Sequence, residues 1–238
     1  MNDYFQFRQF KINQDKSSMK VCTDSCLFGA WIADKIERKD IQPKRILDIG
    51  SGTGLLSLII AQKSNADIDA VEIEENSYGQ TKANFAESPW QQRIQAFHTD
   101  IKNWHSSQKY DLIISNPPFF ENDLKSGNKN KNIAKHHDTL TLAELLQSIK
   151  NNLSKEGNFA VLLPFHRTGY FKNLAAENGF HLPEELLVKQ TPRHSCFRSI
   201  LFFGTQEETI ISNELIIKEN GNYTTEFNHL LKDYYLNS

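Results

Sequence analysis

Asn116 stands between an apolar run and two prolines: "YDLIIS" (110–115) leads into "NPPFF" (116–120). The run reads as a buried strand, and proline has no N–H with which to continue one, so the chain must leave the sheet at Asn116. The Asn116 side-chain oxygen and the Pro117 carbonyl then form two acceptors on a stiff backbone at a sheet edge. Two acceptors suit an exocyclic aromatic amine, a poor nucleophile because its lone pair is delocalised into the ring. Engaging both N–H hydrogens pulls the nitrogen toward a pyramidal form and aims the lone pair at an electrophile. Pro117 and Pro118 supply the rigidity that such electrostatic help requires. Phe119, with Phe120 beside it, offers a stacking face for a base, which contributes roughly 1–3 kcal/mol per base. No general base is needed before the attack, because the nitrogen becomes acidic only once it has bonded to the electrophile.

A second group of residues binds rather than reacts. "LDIGSGTGLLSL" (47–58) runs from a strand through Gly50, Ser51, Gly52, Thr53 and Gly54 into a helix. Glycines let the backbone turn sharply and let a ligand approach where a Cβ would stand. The spacing G-x-G-x-G is one residue short of the dinucleotide pattern, which argues against a pyrophosphate cradle. Eighteen residues past Gly54, Glu72 closes a second strand, with Ile73 next to it. A carboxylate there can accept both hydroxyls of a ribose lying in the crevice at the strand ends. Asp48, before the loop, favours a cationic ligand over a phosphate. In "HTDI" (98–101), Asp100 and Ile101 follow a third strand, where the carboxylate can accept from an adenine amino group. Ribose, cation and adenine together point to S-adenosyl-L-methionine as cofactor and S-adenosyl-L-homocysteine as product. The competing readings are a plain strand-to-helix turn with a solvent-facing Glu72, and a loop-capping Asp100.

The elements that must position these groups are legible as alternation. Apolar runs at 45–49, 67–73, 110–115 and 158–164, with a weaker one at 93–98, are separated by helix-sized segments at 54–63, 75–87 and 140–154. The last of these helices is expected to begin after Thr139 or Thr141. Continuous apolar strands alternating with helices predict an α/β fold, a mostly parallel sheet with helices on both faces. After residue 184, "EELLVKQT", "SILFFGTQ" and "ETIISNELIIK" read as strands with short connections, hence antiparallel additions at one edge. The tail "TEFNHLLKDYYL" reads as a closing helix. One domain over 1–238 is expected, with an N-terminal arm over 1–40 and the core with its C-terminal helix over 41–238.

The motifs "LDIGSGTG", "VEIE", "HTDI" and "NPPF", in this order, resemble those of class I S-adenosylmethionine-dependent methyltransferases acting on planar amino groups. More narrowly, "FQFRQFKINQDKSSMKVCTDSCLFGAWI" resembles the amino-terminal signature of bacterial tRNA1(Val) adenine-37 N6-methyltransferases, and "NPPFF", "AKHHDTLTLAELL" and "LLPFHR" continue the likeness. The resemblance implies a Rossmann-like, seven-stranded sheet of order 3-2-1-4-5-7-6 with the last strand inserted antiparallel. It places the arm, with Lys20, Thr23 and Asp24, over the cofactor and the target base; an ordinary amphipathic helix cap beginning at Thr23 or Asp24 is the competing reading. It also implies methyl transfer to the N6 amine of an adenine in tRNA, beside the anticodon. Phe119 departs from the Tyr common in adenine and glutamine methylases, so rRNA guanine-N2 and protein glutamine N5 remain alternative acceptors. A binding module that keeps the sheet without the chemistry is the alternative of another class.

Composition sets bounds on these readings. The chain has 238 residues and a net charge of −2, so a polyanion can be held only by local patches. Such patches are Lys125, Lys129, Lys131 and Lys135 in a loop directly after the catalytic motif, and Arg193 and Arg198 in "KQTPRHSCFRS". The loop is expected to act as a lid on the RNA backbone, and a solvated charge run is the rival reading. Cys22 and Cys26 at C-x₃-C spacing have no second pair, and His136 and His137 are adjacent, so no metal site is expected. Helical spacing predicts that both thiols of the Cys22–Cys26 pair are half-buried. With three cysteines, no signal peptide and no membrane-length apolar run, the chain is expected in the cytoplasm, without membrane or obligate protein partner.

Overall fold

The structure, a computed structural model, describes residues 2–17, 20–118 and 140–236. The chain enters through a short antiparallel hairpin, β1 (Tyr4–Gln6) and β2 (Lys11–Asn13), with Phe5 opposite Ile12. Helix α1 (Thr23–Glu37) follows and starts at Thr23. It is buried without interruption from Ser25 to Ala33. A helix buried all round carries no amphipathic stripe, so its sequence shows no helical period.

The alternating segments become β3 (Arg45–Ile49), α2 (Leu55–Ala61), β4 (Asp67–Glu72), α3 (Glu75–Ala86), β5 (Ile94–His98) and β6 (Tyr110–Ser115). Beyond residue 140 come α4 (Leu142–Asn152), β7 (Leu153–Pro164), α5 (Thr168–Glu177), β8 (His181–Lys189), β9 (Cys196–Gly204) and β10 (Ile211–Ile216). The chain closes with a two-residue-stranded hairpin, β11 (Lys218–Glu219) and β12 (Asn222–Tyr223), and helix α6 (Thr225–Leu231). α4 begins where one of its two expected caps stands: the Thr141 hydroxyl accepts from the Glu144 N–H at 3.1 Å and the Glu144 carboxylate accepts from the Thr141 N–H at 2.9 Å.

Eight strands form one sheet in the order β10-β8-β9-β7-β6-β3-β4-β5. Seven of them follow the expected order, with β9 inserted antiparallel between β7 and β8. The eighth, β10, pairs parallel with the outer side of β8. The expectation that every strand after residue 184 is antiparallel is therefore corrected: only β9 runs against the body. The reason is α5, a crossover that the sequence pattern did not disclose. It returns the chain so that β8 runs parallel to β7, as a helical crossover must.

Period-two alternation sorts the strands onto two cores. Ile46, Leu112, Ile114, Ala160 and Leu162 face α1 and α2, whereas Leu47, Ile49, Ile113, Phe159 and Val161 face α4 and α5. Phe7, Phe10 and Ile12 of the arm join the first of these cores. Gly29 allows α1 to lie close on α2, since a Cβ there would stand 3.0 Å from Ile59. The sheet reverses direction of growth at β3, with β4 on one side and β6 on the other. Ligands in such sheets sit outside the strand ends at this reversal, and both sequence motifs lead directly from it.

Candidate active site

The loop after β3 is built from three left-handed glycines, with φ of 72° at Gly50, 59° at Gly52 and 79° at Gly54. Gly54 packs against α3, where a Cβ would meet Phe85 at 2.5 Å. Gly50 and Gly52 differ: a Cβ on either meets nothing within 4 Å, because both face a cavity. That cavity has a volume of about 310 Å³, within the range of small-molecule sites. Besides Gly50 and Gly52 its walls include Glu72, Ile73, Asp100, Ile101, Asn116 and Pro118. Residues from four separate sequence motifs thus line one space.

Glu72 is buried at the end of β4, and its two carboxylate oxygens accept from the N–H groups of Gly52 and Glu74, each at 2.9 Å. It therefore clamps the glycine loop as well as lining the cavity, and a carboxylate retains further lone pairs for a ligand. From the other side, the Thr81 hydroxyl donates to the Gly52 carbonyl at 2.8 Å and the Asn84 amide donates to the Thr53 carbonyl at 2.8 Å. Ser51 and Thr53 are buried, with the Ser51 hydroxyl 3.3 Å from that of Thr81. Asp100 accepts from the Lys102 N–H at 2.9 Å and so caps a short turn while lining the cavity; its two sequence readings are compatible. Ile73 is left 54% exposed on the cavity wall.

Asp48 lies under the loop, fully buried, and one of its oxygens accepts from the Ser57 hydroxyl at 2.7 Å. Its other oxygen has no partner among the described residues. Burial raises its pKa from 3.8 to about 7, with the hydrogen bond from Ser57 opposing and the charge of Glu72 adding to the rise. A raised folded-state pKa means that the protonated form stabilises the fold. That contribution is complete below pH 3.8 and is lost as the pH rises to about 7. Asp48→Asn fixes the neutral form, so the stability of the variant relative to the parent should increase across this window and level off above it. Chemical denaturation of both proteins at several pH values measures the difference, and a constant difference would show that Asp48 titrates normally.

Asn116 begins the turn after β6. Its amide Nδ2 donates to the Ser25 hydroxyl of α1 at 2.9 Å, and its Oδ1 is buried with no partner among the described residues. Pro117 and Pro118 line a second, small void with Leu163, Pro164 and Arg167. Other expected residues lie away from the cavity wall. The Lys20 ammonium donates to the Gln14 carbonyl, and Thr23 is exposed at the start of α1. Arg198 is ion-paired with Asp24 at 2.7 Å, and Arg193 is exposed in the turn between β8 and β9. Phe119, Phe120, Lys125, Lys129, Lys131, Lys135, His136 and His137 fall outside the described residues. Cys22 is exposed and Cys26 buried, which corrects the expectation of two half-buried thiols; α1 starts between them and turns Cys26 into the core.

Sequence reasoning missed Ser17 and Ser77, which line the cavity with their hydroxyls 3.4 Å apart, and Ser25, which holds Asn116. Ser17 and Ser25 sit inside the amino-terminal signature, which was the available signal. No group of three or more His, Cys, Asp or Glu suited to a metal occurs among the described residues. Nor is any helix among them long and apolar enough to cross a membrane.

Residues 30–175 match the family described as Methyltransferase small domain. The chain is 42% identical over 241 aligned residues to a protein of Dyadobacter fermentans named tRNA1(Val) (adenine(37)-N6)-methyltransferase, covering 99% of this chain and 98% of that one. Proteins of the same name from Pseudoalteromonas translucida and Bacteroides thetaiotaomicron are 38% and 37% identical, each covered to 98%, over 98% and 99% of this chain respectively. Among solved structures, one from Agrobacterium tumefaciens described as a predicted O-methyltransferase superposes with a TM-score of 0.68 at 14% identity, over 90% of this chain and all of that one. Another, described as a class I S-adenosylmethionine-dependent methyltransferase of Listeria monocytogenes, gives 0.60 at 13% identity, over 82% of this chain and 68% of that one. At these identities the structures speak for the fold alone.

Proposed function

The chain belongs to the methyltransferase small-domain family and, within it, to the tRNA1(Val) (adenine(37)-N6)-methyltransferases, and from that premise we propose its reaction. It transfers a methyl group from S-adenosyl-L-methionine to the exocyclic N6 amine of an adenine in tRNA, adenine 37 beside the anticodon of tRNA1(Val). The observation that carries this reading is the Oδ1 of Asn116. A buried acceptor without a partner costs stability unless a ligand satisfies it. Asn116 itself is one of the residues lining the cavity that the glycine loop and Glu72 share.

The open cradle at Gly50 and Gly52 and the carboxylate of Glu72 fit an adenosyl cofactor. Glu72 would accept the ribose hydroxyls, Asp100 the adenine amino group, and Ile73 with Ile101 would cover the ring faces. When bound, S-adenosyl-L-methionine supplies an electrophilic methyl on a sulfonium. Asn116 Oδ1 and the Pro117 carbonyl would accept the two N–H hydrogens of the target amine, localising its lone pair for attack. They would stabilise the positive charge developing on N6, and the surplus N6 proton would pass to solvent water after transfer. Phe119 and Phe120 would stack on the flipped base, and Lys125, Lys129, Lys131, Lys135 and Arg193 would contact phosphates. With tRNA as its substrate, the enzyme would act in the cytoplasm.

Purified protein incubated with radiolabelled cofactor and separate pools of tRNA, rRNA, DNA and protein tests the proposal, followed by digestion of each pool. The expected result is label in N6-methyladenosine from tRNA. Label in methylguanosine from rRNA, or in glutamine from protein, would overturn the substrate while leaving the fold's chemistry intact.

A further inference from the structure

We propose that Ser25 is a positioning residue for the reaction: its hydroxyl selects which end of the Asn116 amide faces the cavity. This rests on the assignment of Asn116 above. A terminal amide torsion is soft and two-fold, so an asparagine can present either Oδ1 or Nδ2 to a given partner. Only Oδ1 toward the cavity can accept an amine hydrogen. A serine hydroxyl alone does not decide between the two, because it both donates and accepts.

The surroundings of Ser25 remove that ambiguity. Its Oγ lies 3.0 Å from the Cys22 Sγ and accepts the 2.9 Å bond from Asn116 Nδ2. The O–H is a better donor than the S–H, so its single hydrogen goes to the sulfur and the oxygen is left to accept. Facing an acceptor, Asn116 must offer Nδ2 to α1, and Oδ1 is turned away from it.

The first turn of α1 is itself held in place. Asp24 accepts from the Ser25 N–H at 3.1 Å through one oxygen and from the Arg198 guanidinium at 2.7 Å through the other. Ser25 is 5% exposed, and α1 is seated on α2 through Gly29. Residues 91 positions apart are thereby joined, and the arm acts on the chemistry through a single hydroxyl.

Ser25→Ala removes the hydroxyl without adding bulk. It should lower kcat about tenfold, as the loss of one orienting hydrogen bond does, while KM for tRNA and Kd for the cofactor stay within about twofold. Ser25→Thr, which keeps the hydroxyl, should restore most of the rate. Because Ser25 acts through Asn116, adding Ser25→Ala to Asn116→Ala should change the residual rate by less than about twofold. The inference falls if Ser25→Ala turns over at the parental rate while Asn116→Ala is inactive. It falls equally if Ser25→Ala slows Asn116→Ala by the same tenfold, or if its loss of rate is matched by a lowered melting temperature and weakened cofactor binding. An active Asn116→Ala would instead overturn the functional assignment itself.

Discussion

Asn116→Ala should lose methyl transfer by two to three orders of magnitude, about what removal of one preorganised polar group from a reacting centre costs. Its affinity for S-adenosyl-L-methionine should stay within about threefold of the parent. The asymmetry follows from what each end of the amide does. Nδ2 is occupied by Ser25, and Oδ1 has no hydrogen-bond partner among the described residues, so the free protein loses one hydrogen bond and is relieved of one unsatisfied acceptor. The net effect on folding is small. During transfer, by contrast, the target nitrogen becomes positively charged and its N–H hydrogens become much stronger donors. An acceptor aimed at them stabilises the transition state far more than the ground state, and such interactions appear in kcat rather than in binding. Single-turnover transfer to tRNA, with calorimetry for cofactor affinity and thermal unfolding for integrity, separates the quantities. Turnover within about threefold of the parent would remove Asn116 from the chemistry and the two-acceptor mechanism with it.

What sequence could disclose divides along the range of the interactions concerned. The strands at 45–49 and 110–115 coincide with β3 and β6 because both are buried on two faces, so apolar residues from both faces add up to a dense local signal. α3 was readable as a helix, but its role was not, because its buried face is polar. Ser77, Gln80, Thr81 and Asn84 recur at helical spacing and are satisfied by the arm and the glycine loop: Gln80 accepts from the Lys16 N–H, and Asn84 bonds both Asn13 and Thr53. A pattern search that equates burial with apolar residues assigns this face to solvent. The β1–β2 hairpin has strands of three residues each, too short for a period to register. β10 was visible as a strand, yet it pairs parallel with β8, with β9 running in the opposite direction between them in sequence, and no local pattern encodes that partner.

The site divides in the same way. Gly50, Gly52, Glu72, Asp100 and Asn116 were legible because each stands at a strand end, where a local motif fixes its place in the fold. Asp48 was read as facing a ligand, but alternation along β3 puts it on the side of Ile46, toward α2 and Ser57. Arg198 was read as a phosphate contact, and its pairing with Asp24 joins residues 174 positions apart. No local pattern encodes such a partner. Ser25 escaped notice for the same reason, since a buried serine in an apolar helix has no signature until Asn116 is seen beside it.

Glu72 gives the second large effect, and its two structural roles can be told apart. Glu72→Ala should weaken S-adenosyl-L-methionine binding by at least about a hundredfold, since hydrogen bonds to a charged acceptor contribute roughly 1.5–3 kcal/mol each and two are proposed. Part of any loss, though, comes from the clamp: the Gly52 and Glu74 N–H groups lose their acceptor, and the loop is free to relax. Glu72→Gln retains the shape but offers only one oxygen, so it should fall between the parent and Glu72→Ala. A cofactor product analogue, S-adenosyl-L-homocysteine with the ribose hydroxyls replaced by hydrogen, isolates the ligand-facing part. Against the parent, the analogue should bind far more weakly than S-adenosyl-L-homocysteine. Against Glu72→Ala the two ligands should bind alike, because the hydroxyls no longer have a carboxylate to meet. If Glu72 served only to hold the loop, the variant would weaken both ligands by the same factor and the gap between them would persist. Calorimetric titration of both ligands into both proteins distinguishes the cases, and a persistent gap would return Glu72 to a purely structural role beneath Gly52.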